Sequence, residues 1–250
     1  SETSSTHKYM TFDPLTNETS GPIDLGIGTY DKGPIKVLFD DADTLHMIYM
    51  ETNVFPTHYL KYIKKPNGGS WSSPITISET AYASSTRRYG DVTDLAVSPN
   101  GSLVWVTYYD YNYNPYLAQL TGGTFTSYPL YGNVASYTSS SSVTLNDDGI
   151  PYFFYYYSRS EATIAYRSGT GEVVYITNNT GMYKPYYHAR LRFDSTGDLH
   201  LGWIRPNESN YYTPVYTYLD NAVLPVDERV LTGDDDVYSD VFSLGLGVDA

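Results

Sequence analysis

Residues 186–204, YYHARLRFDSTGDLHLGWI, are one clean copy of a pattern that recurs about every 50 residues, and a repeat of that length restricts architecture before any single residue does. Ala189, Leu191 and Phe193 alternate with Arg190 and Arg192. Turn chemistry follows at Ser195, Thr196, Gly197 and Asp198, and residues 199–204 run apolar again. Alternation, turn and a second apolar run make a hairpin signal. The same shape occupies residues 30–49, 89–108 and 137–156, and a half-finished copy, YSDVFSLGLGVDA, closes the chain at 238–250.

Each full copy divides into four short strands, a to d, in the manner of one propeller blade. The first gives 36–39, 45–50, 58–63 and 75–78; the second gives 92–98, 103–109, 116–120 and 125–128. The third gives 143–146, 151–157, 163–167 and 173–177, and the fourth 190–194, 199–204, 215–219 and 227–231. The expected fold is therefore all-β: a five-bladed β-propeller forming a single domain over 1–250, with complete blades at about 35–79, 92–130, 142–178 and 189–232. A fifth blade is expected from both termini, 240–250 supplying strand a and 6–28 supplying strands c and d, because Thr6-His7-Lys8-Tyr9 matches Thr57-His58-Tyr59. Strand b of that blade is missing. Three readings stay open: a fragment of a longer protein, a strand donated by another chain or copy, or a three-stranded blade. The two edges beside the gap would pair with an extended segment.

Composition agrees with strands and excludes some partners. Tyr supplies 29 of 250 residues, a bias toward strands, and no helical periodicity stands out. A net charge of -13 without a basic run argues against nucleic acid and anionic membrane surfaces, which require clustered Lys and Arg. Cys is absent, which removes disulfides and thiolate metal sites, and no apolar run is long enough to span a bilayer. The Lys-poor, Ser/Thr/Tyr-rich composition favours an extracellular setting, with Asn-x-Ser/Thr triplets at Asn17, Asn100, Asn178 and Asn207 in expected turns.

The turns before strand b (Pro99-Asn100-Gly101, Asp147-Asp148-Gly149, Thr196-Gly197-Asp198), with His46 and His200 in LHMIY and LHLGW, resemble the repeats of sialidase-like, BNR-type propellers. Gly68-Gly69-Ser70-Trp71 and Gly122-Gly123-Thr124-Phe125 are similar to the second half of that superfamily's Asp-box, with Pro66 where the box has its Asp. The resemblance implies the fold, since propellers host many unrelated functions. For sialidase activity it would also imply an arginine grip, with Arg88, Arg159, Arg190 and Arg192 available, and acids such as Asp91, Asp94 and Asp240. Glu is scarce and confined to expected turns, so no catalytic residue is assigned.

The residues expected to bind are the tyrosines that open strand a of every repeat: Tyr30, Tyr89, Tyr137, Tyr186 and Tyr238. They would ring the central axis on one face, offering flat apolar surface and hydroxyls to a carbohydrate or peptide ligand, with Asp91, His188, Arg190 and Asp240 as oriented polar partners. Packing between blades is the competing role. His46 and His200, at equivalent strand-b positions, are expected to make a repeated structural hydrogen bond. The acidic runs at 40–43 and 234–236 lack the order of a calcium loop and read as solvated turns. No metal or cofactor is expected. The alternatives to a binding module are a glycan-processing hydrolase or lyase and an assembly subunit completed by a donated strand.

Overall fold

The computed structural model describes residues 8–13, 16–24, 36–54, 57–81, 93–132, 140–156, 162–176, 187–206, 212–220 and 229–230. These residues form β-strands and connecting turns. The first sheet holds β3 (Lys36–Phe39), β4 (Leu45–Val54), β5 (Thr57–Lys65) and β6 (Ile75–Ser78). The second holds β7 (Asp94–Val97), β8 (Val104–Tyr109), β9 (Pro115–Thr121) and β10 (Thr124–Pro129). The third is β11 (Ser141–Leu145), β12 (Pro151–Tyr156), β13 (Ala162–Arg167) and β14 (Val173–Tyr175); the fourth is β15 (Tyr187–Phe193), β16 (Leu199–Pro206), β17 (Tyr212–Leu219) and β18 (Arg229–Val230). Each is a four-stranded antiparallel meander in chain order. A two-stranded sheet of β1 (Lys8–Asp13) and β2 (Glu18–Asp24) stands apart from these four, where the sequence places strands c and d of the fifth blade.

The sheets pack side by side in sequence order. The inner strands β3, β7, β11 and β15 neighbour one another in turn, and the second strand of each sheet touches the inner strand of the next: β4 on β7, β8 on β11, β12 on β15. This is a propeller-like arrangement. Side chains on alternate faces of each strand fill the spaces between sheets, which explains why so many strands are apolar on both sides. One core cluster joins sheets 2 to 4 through Trp105, Phe153, Phe154, Leu191, Leu201 and Trp203; another joins sheets 1 and 2 through Ile48, Leu60, Leu95 and Val106. The aromatic run of β12 is covered on both faces. Full burial of Phe153 and Phe154 stabilises the fold by about 2 to 3 kcal/mol each.

Turn chemistry fixes the registers. Between β3 and β4, Asp40 Oδ1 accepts the N–H groups of Ala42 (3.0 Å) and Thr44 (2.7 Å), and between β15 and β16, Asp194 Oδ1 accepts those of Thr196 (2.9 Å) and Asp198 (3.0 Å). The acidic run at 40–43 is thus a turn built by one carboxylate. The turns also link sheets: Asp41 N–H donates to the Pro99 carbonyl at 2.7 Å and Tyr111 N–H to the Thr80 carbonyl at 2.6 Å. Beside the second of these links, the buried Tyr109 hydroxyl donates to the Ser140 carbonyl (3.2 Å) and accepts the Tyr156 N–H (2.8 Å), joining sheets 2 and 3. Burial pushes the Tyr109 phenol above its usual range.

Candidate functional site

Seven of the nine residues expected to bind lie outside the described residues: Tyr30, Tyr89, Asp91, Tyr137, Tyr186, Tyr238 and Asp240. His188 is placed by its backbone alone, in β15 next to Ala189. Arg190 is partly buried on the same strand and donates from Nη1 to the Ala189 carbonyl at 2.8 Å; Arg192 does likewise to Leu191 at 2.7 Å. Both guanidinium groups therefore spend a donor on their own strand.

Arg190 occupies a rung with a clear role. Ladder register makes it equivalent to Asp94 and Ser142. Asp94, buried, accepts the Ser142 hydroxyl at 2.7 Å and the Val143 N–H at 3.1 Å; Ser142 Oγ in turn accepts the Leu191 N–H at 3.0 Å. An inner strand has no partner strand on its axial edge, so its N–H groups need another acceptor. The preceding sheet supplies it. Asp94, which the resemblance offered as a central acid, is engaged in this sealing.

His46 and His200 make the repeated structural bond. His46 Nδ1 meets the Tyr62 hydroxyl at 2.7 Å and Nε2 meets Asp40 Oδ2 at 3.2 Å. The corresponding distances for His200 are 2.5 Å to Tyr216 and 2.8 Å to Asp194. Burial holds the His46 imidazole below its ordinary pKa against the opposing pull of Asp40. Desolvation acts upward on the Asp40 carboxyl but is outweighed by the Thr44 N–H, His46 and the Ala42 N–H, so the group titrates below its usual range.

In sheet 2 the same three positions carry Ser98, Trp105 and Leu117. Ser98 turns back to Asn100 (2.8 Å) and to the Leu103 N–H (2.9 Å). The space that the polar cluster fills between sheets 1 and 2 is, between sheets 2 and 3, a cleft of about 330 Å³. It is lined on one side by Trp105, Gln119 and Tyr128, and on the other by Asp148 with the turn after it and by Arg167, Ser168 and Thr170. The Arg167 guanidinium lies over the Tyr128 ring at 3.6 Å, and the Trp105 ring is 6.4 Å from that of Tyr128. Trp105 Nε1 is buried and has no hydrogen-bond partner among the described residues. Among the described residues Arg167 makes no ion pair, so its donors remain available beside an aromatic surface.

This cleft opens among the turns that follow the inner strands. In the sequence Trp105 is one residue of an expected strand, 103–109, and Arg167 is the end of another, 163–167. The one local signal was that Trp105 stands where His46 and His200 stand. Among the described residues no group of three or more His, Cys, Asp or Glu is placed to hold a metal ion.

No protein-family model matches the chain and no curated protein matches it in sequence. Among solved structures it is similar to a glucose dehydrogenase, with a TM-score of 0.57 at 11% identity over 92% of this chain and 80% of that one. It is also similar to an arginine-to-alanine mutant of AofleA from Arthrobotrys oligospora, with a TM-score of 0.56 at 14% identity over 88% of this chain and 62% of that one. A third likeness is to the Hadza microbial sialidase Hz136, with a TM-score of 0.52 at 14% identity over 83% of this chain and 47% of that one. The chain spans about half of that sialidase. At these identities the likeness is one of fold: a propeller-like stack of antiparallel four-stranded sheets.

Proposed function

We propose that the protein is a non-catalytic carbohydrate-binding module that works outside the cell, and that the cleft between sheets 2 and 3 holds the sugar. The observation that carries this reading is the meeting of Trp105 and Tyr128 with the free guanidinium of Arg167. Sugars present flat C–H faces and fans of hydroxyls, and a site for them pairs aromatic surface with a few fixed polar groups. Arg167, Gln119 and Asp148 supply both donors and acceptors, and the volume is that of a small-molecule cleft. Neighbours of the same fold include a glucose dehydrogenase and a sialidase, which is support by analogy only. The acidic, Lys-poor composition fits the extracellular part of the reading.

The tyrosine ring belongs to the same proposal as a second surface, at the other end of the strands: Tyr30, Tyr89, Tyr137, Tyr186 and Tyr238, with Asp91, His188, Arg190 and Asp240. A glycan array followed by calorimetry tests both. Arg167→Ala and Gln119→Ala are expected to weaken binding about tenfold each, as losses of a site's hydrogen-bonding groups do. Tyr89→Ala and Tyr186→Ala report separately on the ring. An array with no signal above background removes the reading, and binding indifferent to Arg167 and Gln119 removes the cleft.

A further inference from the structure

The charges around the cleft between sheets 2 and 3 narrow the kind of sugar it takes. The turns at this end of the two sheets, 98–103 and 121–124 in sheet 2 and 146–150 and 168–172 in sheet 3, all lie within the described residues. Arg167 is the cation among the residues lining the cleft, and the exposed Asp148 is the anion. The two do not pair with each other, and among the described residues Arg167 pairs with no other carboxylate. Carboxylates are plentiful in this chain, with 28 Asp and Glu against 15 Lys and Arg. A guanidinium without one is therefore a property of this place, not of the composition.

The pose of Arg167 directs its donors. Its guanidinium lies over the Tyr128 ring at 3.6 Å, a contact that occupies a face of the group and leaves the N–H bonds, which lie in its plane, at the edge. The turn at 168–172 closes on the same group. Gly171 has φ +90°, and a Cβ there would stand 3.1 Å from Arg167 Nη2, so a glycine is what lets the turn come this near. Held by ring and turn, the fork loses little freedom when it binds. Arg190 and Arg192 differ, since each donates to a carbonyl of its own strand.

A guanidinium only donates, and an ionised carboxylate only accepts, in a geometry that matches the fork bond for bond. A sugar hydroxyl in the same position would also have to place its own proton. Hydroxyls suit the other polar groups of the cleft, because Asp148 accepts and the Gln119 amide both accepts and donates. We propose that the sugar is a hexuronic acid, its carboxylate paired edge-on with Arg167 and its hydroxyls meeting Asp148 and Gln119, with Trp105 and Tyr128 against the ring. This rests on the carbohydrate reading of the cleft and adds the charge to it. Arg167 is not among the arginines that the resemblance offered as a grip.

Calorimetric titration with methyl galacturonide and methyl glucuronide, each beside its methyl ester and its neutral parent glycoside, tests the proposal. At least one uronate should bind about tenfold more tightly than its ester and its parent, as a charge-assisted fork requires. Salt at about 0.5 M should shrink that preference, and Arg167→Ala should abolish it. Arg167→Lys, which keeps the charge and loses the fork, should restore only part of it. The ester comparison leaves the protein unaltered, so it decides even where a variant fails to fold. Equal binding of uronate and ester, binding of the neutral glycosides alone, or a preference that survives Arg167→Ala overturns the proposal while the carbohydrate reading stands. Silence of all six glycosides overturns it too, and together with an empty glycan array removes both.

Discussion

The Asp–His–Tyr cluster occurs twice, in sheets 1 and 4, built with the same spacings: His follows Asp by 6 residues and Tyr follows His by 16. The bonds are the same, but the surroundings differ. The side chains of His46 and Asp40 are 1% and 6% exposed, those of His200 and Asp194 15% and 21%. Over the first cluster, Phe125 of sheet 2 meets the Tyr62 ring edge-on at 5.6 Å, and the turn carrying Gly101 lies against Asp40 and His46. Local sequence makes the cluster, and the following sheet decides how dry it is. The same bonds should therefore stabilise the fold unequally, because a polar group cut off from water loses more when its partner goes.

The largest expected effect separates the two turn glycines. Gly101 has φ +68°, and a Cβ there would meet Asp40 Oδ2 closely, with His46 Nε2 at 3.6 Å; Gly197, at φ +88°, has nothing within 4 Å among the described residues. Gly197→Ala should cost about 1 kcal/mol for the left-handed backbone alone. Gly101→Ala adds the clash and should cost about 3 kcal/mol in denaturant unfolding. Equal losses would show that the turn of sheet 2 does not close over the first cluster.

Next comes the imidazole itself. His46→Ala strands the Tyr62 hydroxyl in a buried position and should cost about 2 kcal/mol. His200→Ala, where water reaches the partners, should cost about half that. Thermal melts of the two variants compare them directly, and a larger loss at His200 would break the argument from burial.

The strands were readable in the sequence because their signals are local. Strands 36–39 and 75–78 were expected and found with the same bounds, set by apolar alternation between turn residues. In sheet 4, β17 starts at Tyr212, earlier than the expected 215, because its ladder continues through Pro214 and Thr213 opposite Ile204 and Arg205. Pairing, not side-chain pattern, sets that end. The two histidines were legible as a repeated bond, but Tyr62 and Tyr216 were not legible as partners, since each reaches its histidine diagonally across the ladder. The cleft was not legible either. Trp105 and Arg167 belong to different sheets, and only the packing of one sheet on the next brings them together.

Acid should sharpen the comparison. Burial depresses the His46 pKa, so its effect on stability is absent above the ordinary value of 6.5, where folded and unfolded states are both neutral. As pH falls below that, the unfolded chain takes up a proton that the folded chain resists, and stability drops until the folded value is passed. The groups facing His46 are Asp40, Tyr62 and Lys64; Asp40 pulls against the drop and Lys64 adds to it. Asp194 is held low first by His200 and then by Thr196, so its contribution is present above 3.8 and is lost as pH falls through the lower folded value. Melting temperature should thus decline in two stages, and His46→Gln should flatten the first, which begins below about pH 6.5. An unchanged slope in that variant would assign the first stage to another group.

The smallest expected difference isolates one hydroxyl. Tyr62→Phe keeps the ring against Phe125 and removes the bond to His46; Tyr216→Phe does the same to His200. A buried bond of this kind contributes about 1 kcal/mol net, and an accessible one less, because water replaces the lost partner. In the first case the imidazole nitrogen left behind is sealed under Phe125 and the Gly101 turn, so the variant should lose stability beyond the bond itself. In the second, solvent reaches the ring and should take up the vacated position. The two variants should therefore differ by about 0.5 to 1 kcal/mol in urea unfolding. If they match, the aromatic cover over Tyr62 admits water, and the two clusters are equivalent despite their different neighbours.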